Sequence, residues 1–286
     1  TGSWKRKLSK ERNSQKSLPP NPGFLPRLRR TILPGILPIL KSIDGTHSFC
    51  FTGVMNTSIL RACFFSVVFS VCLGSVSGQT ITTADTFFSS VSEKYSNLKD
   101  YSAQIRIKSI ASQKTDSMSG RVQFKKPDLL RIDFSEPADQ TIVFNGSLLT
   151  IYLPSYNVVL NQSVEKSSGS SGASIATPQG LSLIKRYYTI AYETGPAPVP
   201  LEENSEEQVV VLSLSRRSTT EMFRTIRLMI TPETSLIRRI DAMTIAGDQI
   251  VFDFTGYALN QGILDNRFEY DSPPSANMFN NFLFTE

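Results

Sequence analysis

The stretch from Gly120 to Gln162, GRVQFKKPDLLRIDFSEPADQTIVFNGSLLTIYLPSYNVVLNQ, constrains the fold more than any other. Val122 and Phe124 alternate with Arg121, Gln123 and Lys125, and Pro127-Asp128 turns the chain. Leu130, Ile132 and Phe134 then alternate with Leu129, Arg131 and Asp133 before a second turn at Glu136-Pro137-Ala138-Asp139. Ile142 to Phe144 runs into Asn145-Gly146, a strong hairpin signal, and Leu149, Ile151 and Leu153 follow up to Pro154. A period of two sends each apolar set to one side of an antiparallel sheet. That side must meet a core, a lid or a ligand.

The flanking segments extend the pattern. Tyr101, Ala103, Ile105 and Ile107 alternate with polar residues, which predicts a strand with one wet face, and a polar turn is expected at Ser112 to Asp116. Thr82 to Lys99 reads as a helix, with Phe87, Val91, Tyr95 and Leu98 at helical spacing, Phe88 widening the stripe, and a weak capping box from Thr82 to Asp85. Glu165 to Pro178 is a flexible Gly/Ser connection. In Gly180 to Tyr192, Leu181, Ile184, Tyr188 and Tyr192 share a helical face, or else Tyr187 to Tyr192 is a strand; periodicity does not decide. Thr194 to Glu207 is expected to be a solvated, acidic loop. Strands are predicted at Val209–Leu214, Phe223–Ile230, Ser235–Asp241, Met243–Ala246 and Gln249–Phe254, with short ones at Ile263–Leu264 and Arg267–Tyr270. Ile250, Phe252 and Phe254 point one way. About ten or eleven meandering strands with two or three helices predict an α+β fold, a strongly curved antiparallel sheet or unclosed β-barrel.

The N-terminal quarter differs in character. Met55 opens MNTSILRACFFSVVFSVCLGSVSGQT, with Arg61 before an apolar run and small residues at Gly74, Ser75, Ser77 and Gly78, the layout of a secretory signal peptide cleaved near Ser77 or Gly78. Residues 1–54, rich in Lys, Arg, Pro and Ser, read as a mis-called start or a disordered basic extension; residues 55–78 as the signal peptide; residues 79–286 as the folded domain. Residues 1–78 carry 11 Lys and Arg against 2 Asp and Glu, whereas residues 79–286 carry 19 against 23. The domain is therefore mildly acidic, which argues against a nucleic-acid binder.

All three cysteines, His47 and Trp4 lie before residue 79. The domain thus lacks disulfides, Cys/His zinc sites and Ser-His or Cys-His nucleophiles. No phosphate-cradling loop or zincin pattern occurs, and Asp128 and Asp133 read as solvated carboxylates. No catalytic residue, cofactor or metal is expected, and the chain is not expected to be an enzyme. Bulky Val71 before Cys72 argues against lipidation there.

The stretch 120–162 resembles the LolA family of periplasmic lipoprotein carriers. The likeness rests on Gly120, Lys125-Lys126-Pro127, Leu130-Arg131-Ile132, Glu136-Pro137, Asn145-Gly146 and Tyr152-Leu153-Pro154 in order, and extends over about residues 79 to 286. It implies a half-open barrel whose helices cover a hydrophobic cavity for acyl chains. On that resemblance the cavity is lined by Ile105, Ile107, Val122, Phe124, Leu130, Ile132, Phe134, Ile151, Phe252 and Phe254; the residues alone leave the same face open to being an ordinary core. The lid and latch would comprise Phe87, Val91, Lys126, Leu181, Ile184 and Tyr188, with Lys126 standing where many members carry Arg. Lys lacks the planar guanidinium fork and offers point-charge donors instead. The implied function is a soluble periplasmic monomer that ferries acylated lipoproteins from an inner-membrane ABC release complex (LolCDE-like) to an outer-membrane acceptor (LolB-like). The alternatives are a lipid- or glycolipid-binding relative, an acceptor lipoprotein on the same fold, or a lipoprotein-sensing module. Mass spectrometry of the exported protein is expected to find a free N-terminus near Gln79; a diacylated Cys72 would mark an acceptor instead.

Overall fold

The computed structural model describes residues 82–111, 114–163, 176–219, 221 and 223–281. Of the Gly/Ser connection expected at 165–178, residues 165–175 lie outside the described residues, as does the leader, while Ala176 to Pro178 lead into a helix. In chain order the elements are helix α1 (Ala84–Asn97), strands β1 (Asp100–Ala111), β2 (Lys114–Lys125), β3 (Leu129–Glu136), β4 (Thr141–Phe144), β5 (Leu148–Leu153) and β6 (Val158–Ser163), and helix α2 (Pro178–Tyr187). Then come β7 (Tyr188–Tyr192), β8 (Val199–Pro200), β9 (Gln208–Arg216), β10 (Phe223–Thr231), β11 (Leu236–Thr244), β12 (Gln249–Leu259) and β13 (Asn277–Asn280). They form one unclosed sheet of 13 strands, ordered β13-β6-β5-β4-β3-β2-β1-β12-β11-β10-β9-β7, with β8 beside β9. The β13–β6 pair is parallel and the other pairings among the described residues are antiparallel.

The alternation predicted from sequence sets the register. Ala103, Val122, Ile132, Ile142, Ile151 and Leu160 are successive cross-strand neighbours from β1 to β6. In the other direction Ile107, Phe252, Ile240, Leu228, Leu212 and Tyr192 run from β1 to β7. Each row puts apolar side chains on the same face of adjacent strands, where cross-strand pairs stabilise the sheet. The pairing shifts register at Ser102/Gln104, Ser119/Gly120, Phe223/Thr225 and Met229/Ile230. Each such irregularity adds local twist and bend, and together they curl the sheet so that the apolar rows lie on its concave side.

Both helices lie on that side. Thr83, rather than Thr82, caps α1, its side chain accepting from the Thr86 amide at 3.2 Å. Phe88, Val91 and Tyr95 of α1 are fully buried. In the ambiguous segment the helix and the strand both form. Thr177 caps α2 by accepting from the Gly180 amide, Pro178 takes the first turn, and the chain switches at Tyr188 to pair with β9. Pro at the first helical position leaves no useful donor unsatisfied, and the Tyr-Thr-Ile-Ala-Tyr alternation suits a strand.

Several boundaries differ from expectation. Lys114 to Asp116 belongs to β2, not to a turn, because the β1–β2 pairing continues to Ala111↔Lys114. The strands expected at 235–241 and 243–246 are one, β11, whose pairing runs unbroken through Ala242, opposite Ile226 on one side and Ile250 on the other. The strands expected at 263–264 and 267–270 are absent; the segment crosses the outer face of the sheet and includes a short 3₁₀ turn, Asp265–Phe268. Asp100 starts this strap by accepting from the Gln261 and Gly262 amides at 2.8 and 3.0 Å. Arg267 then bonds Asp133 at 2.8 Å and Gln123 at 3.1 Å, and Phe268 is buried. Asp133 is thereby held between Arg131 and Arg267 rather than solvated. The acidic loop likewise folds onto the outer face, Glu202 pairing with Arg239 and Glu207 with Arg238, each at 2.7 Å.

Gly120 sits at one register shift, between Ile105 and Phe134. A methyl group there would lie 2.3 Å from the Asp133 carbonyl oxygen and 2.8 Å from the Phe134 Cα, both backbone atoms. Gly120→Ala is expected to lower unfolding free energy by about 1–3 kcal/mol, the usual cost of overpacking, read as a reduced denaturant midpoint with unchanged cooperativity.

Candidate functional site: the concave face and its helical cover

The ten strand residues expected to line an acyl-chain cavity belong to one contiguous apolar cluster. Ile105, Ile107, Val122, Phe124, Leu130, Ile132, Phe134, Ile151, Phe252 and Phe254 are none of them more than 6% exposed. A side chain bordering a wide water-filled hollow would keep accessible surface, and these keep almost none. The face is closed, covered by its helices and by its own neighbours. Leu212, Leu214, Ile226, Leu228 and Ile240, from the C-terminal half of the sheet and not among those ten, belong to the same cluster. The period of two in Ile226-Arg-Leu228-Met-Ile230 carried that signal.

The cover residues fall into three groups. Val91 of α1 and Leu181 and Ile184 of α2 are buried against the sheet. Phe87 is half-buried at the margin, its ring 6.2 Å from Tyr192; Phe88 takes the central place instead. Tyr188 does not belong to the lid helix: it opens β7, and its hydroxyl donates to the Phe223 carbonyl at 3.1 Å. The two helices are tied to each other at an exposed point, where Lys185 reaches Ser89 at 2.8 Å and Asp85 at 3.5 Å.

Lys126 is exposed, and its ammonium donates to the Ser96 carbonyl at the C-terminal end of α1. A cation there satisfies a carbonyl that the helix leaves free and meets the negative end of its dipole. The contact is with α1 and not with α2. The same turn holds α2 through its other residue, the Gln179 side-chain amide donating to the Pro127 carbonyl. The Lys126-Pro127 turn therefore touches both helices, one residue to each.

Three tyrosines, Tyr95 of α1, Tyr101 of β1 and Tyr257 of β12, form a cluster between α1 and the sheet. Tyr101 of β1 lies with its ring centroid 6.0 Å from Tyr95, 5.5 Å from Phe124 and 5.6 Å from Tyr257. The Tyr257 hydroxyl donates to the Ile237 carbonyl at 2.8 Å, the Ile237 amide donates to the Tyr95 hydroxyl at 3.1 Å, and the two hydroxyls are 3.2 Å apart. With Tyr257 already donating to the carbonyl, Tyr95 supplies the proton between them, so the ring of bonds closes with each hydroxyl satisfied. Strict alternation from Phe252 and Phe254 would have sent Tyr257 outward. The register shift opposite Ser102/Gln104 turns it in, at Gly256 with φ +61°.

The family model described as outer membrane lipoprotein carrier protein LolA matches residues 104–271, from β1 through the strap, and the chain belongs to that family. Solved structures similar to it include an uncharacterised conserved protein from Thermus thermophilus, at 13% identity and TM-score 0.45 over 69% of this chain and 98% of that one. A putative outer membrane lipoprotein-sorting protein domain from Vibrio parahaemolyticus is 11% identical, with TM-score 0.37 over 65% of this chain and 95% of that one. The Mycobacterium tuberculosis lipoprotein LppX is 10% identical, with TM-score 0.40 over 63% of this chain and 98% of that one. No curated protein matches the sequence.

Burial pushes the Tyr95 hydroxyl up to about 12 from an ordinary 10.0, and pushes Tyr101 and Tyr257 well above 10.0. The unfolded chain ionises these groups near 10 while the folded chain keeps them neutral. Their contribution to stability is therefore intact below pH 10 and is lost as pH rises through the folded values. The expected result is a denaturant midpoint that is insensitive to these groups below about pH 9.5 and falls from about pH 10 to 12, with Tyr95 alone accounting for about 2–3 kcal/mol. Tyrosinate absorbance should appear together with unfolding.

Proposed function

We propose that this protein is a periplasmic carrier that takes the acyl chains of lipoproteins between its curved sheet and its helices and ferries them from inner to outer membrane. The observation that carries the reading is the concave face itself, a continuous apolar surface that, among the described residues, two helices cover, in a chain of the LolA family. The leader-like segment at residues 55–78 supports export. The partners that fit are acylated lipoproteins, an inner-membrane ABC release complex and an outer-membrane acceptor, and the carrier acts as a monomer. The function is binding and transfer without chemistry on the cargo.

The closed face makes entry a displacement, and the two helices differ in what that costs. Helix α1 buries Phe88, Val91 and Tyr95 completely, and Tyr95 is locked to Ile237. Helix α2 buries Leu181 and Ile184. Exposing those two side chains costs about 3–6 kcal/mol, so α2 is the part that moves. An acyl chain of roughly 16 carbons gains about 12 kcal/mol if fully buried, at about 0.8 kcal/mol per methylene. The difference, about 6–9 kcal/mol for one chain, must still cover the entropy of association, so the grip is reversible and suited to handing cargo on.

Delipidated protein is expected to bind a fluorescent acyl probe saturably, and lipid and peptide analysis of protein purified from the periplasm should recover acylated peptides. Absence of saturable binding would remove the carrier reading. Leu181→Ala, which reduces what α2 must expose, is expected to speed probe entry several-fold while lowering stability by about 2–4 kcal/mol.

A further inference from the structure

Tyr101 is fully buried in β1, and its hydroxyl donates to the Ala176 carbonyl at 2.8 Å. Ala176 immediately precedes Thr177, the cap of α2. The other tyrosine hydroxyls of the core bond to sheet residues: Tyr188 to Phe223, Tyr257 to Ile237, and Tyr95, from α1, to Ile237 and Tyr257. Those partners belong to strands β10 and β11, or to the β12 residue locked against β11. Tyr101 alone among these four holds backbone that leads into a helix of the cover.

The two ends of α2 are held differently. Its C-terminal end runs directly into β7, with the Arg217 amide donating to the Tyr187 carbonyl at 2.9 Å and the Arg217 guanidinium to the Tyr188 carbonyl at 3.1 Å. Its N-terminal end is held to the sheet side by Tyr101 on Ala176 and by Gln179 on Pro127. A helix anchored in this way lifts at its N-terminus and pivots near Tyr187-Tyr188. Lifting strips Tyr101 of its acceptor while the ring stays packed in the aromatic cluster.

A buried donor left without an acceptor is costly, and a hydrocarbon chain offers none. The linkage that joins an acyl chain to its carrier does: an ester or amide carbonyl. Resting on the carrier reading above, we infer that the Tyr101 hydroxyl is an exchangeable donor, holding the Ala176 carbonyl when α2 is closed and passing to the ester or amide carbonyl of an acylated ligand when α2 lifts. Burial keeps the phenol protonated, so it always has a hydrogen to give. The position also suits the length of such a ligand. Tyr101 and Ile107 lie on the same face of β1, six residues or about 20 Å apart, so an acyl chain whose carbonyl sits at Tyr101 can run along the strand towards Ile107. Tyr101 thus sets both the register of the chain and a preference for acyl over plain alkyl ligands.

The test compares monopalmitoylglycerol with hexadecylglycerol, an ether of similar length without the carbonyl, on purified delipidated protein, together with amide hydrogen exchange across 179–187 without ligand. The wild type is expected to bind the ester roughly five- to tenfold more tightly than the ether, the worth of one buried hydrogen bond. Tyr101→Phe is expected to bind the two alike, with ether affinity unchanged or higher, and to exchange α2 amides several-fold faster. Tyr257→Phe, which removes a hydroxyl from the same cluster but none bonded to α2, should leave α2 exchange as in the wild type; equal acceleration in this variant would mean general loosening and overturn the inference. Retained ester preference in Tyr101→Phe, or equal binding of both probes by the wild type, would overturn it too. Failure of the wild type to bind either probe would sink the carrier reading and the ligand half of the inference, while the exchange result separately decides the hold on Ala176.

Discussion

Tyr101, Ala103, Ile105 and Ile107 leave β1 on one side, and both neighbouring strands continue that side in register. This one-sidedness is what the remaining structure has to satisfy. A flat sheet with one greasy face could pair with a second sheet. This sheet bends at its register shifts, and a bent face is matched by something convex and narrow. Two amphipathic helices supply it, but they touch the face through few side chains. The balance between a large apolar surface and a slender cover makes a closed resting state compatible with admitting a guest.

The outer face solves the opposite problem. Two long connections fold back across it and are fastened mainly by ions: Glu193 to Arg227, Glu202 to Arg239 and Glu207 to Arg238 on one half, Arg267 to Asp133 and Lys125 to Asp265 on the other. Individually such half-exposed pairs contribute about 0–1 kcal/mol. They act together with small apolar seats, Val209, Val211 and Met229 under the first connection and Phe268 under the second. The back of the sheet is thus stiffened without adding to the core.

Much of this was legible in the sequence because a period of two cannot be mistaken over several strands. The hairpins from β2 to β6 and the inward set from Val122 to Ile151 followed from alternation and turn chemistry alone. What was not legible depends on register or on distant partners. Tyr257 faces inward because of an irregularity opposite Ser102/Gln104, which alternation does not forecast, although Gly256 within a strand hinted at it. β13 has a weak strand signal and forms because Asn157 fixes Ser275 and Asn277 beside β6. Lys126 was placed at the right turn, but whether its side chain meets α1 or α2 depends on where the helices lie, which no local pattern encodes. Tyr101 read as one more inward residue because its hydroxyl partner is 75 positions away.

The seam between β1 and β12 joins Tyr101 to Leu259 and Ile110 to Gln249. The middle strand of the sheet therefore lacks one flank until nearly the whole chain is present. Closing so long a loop is entropically slow, and a structure dominated by such distant pairings assembles late. A chain of this design commits to its tertiary architecture only once its last strands are free to pair.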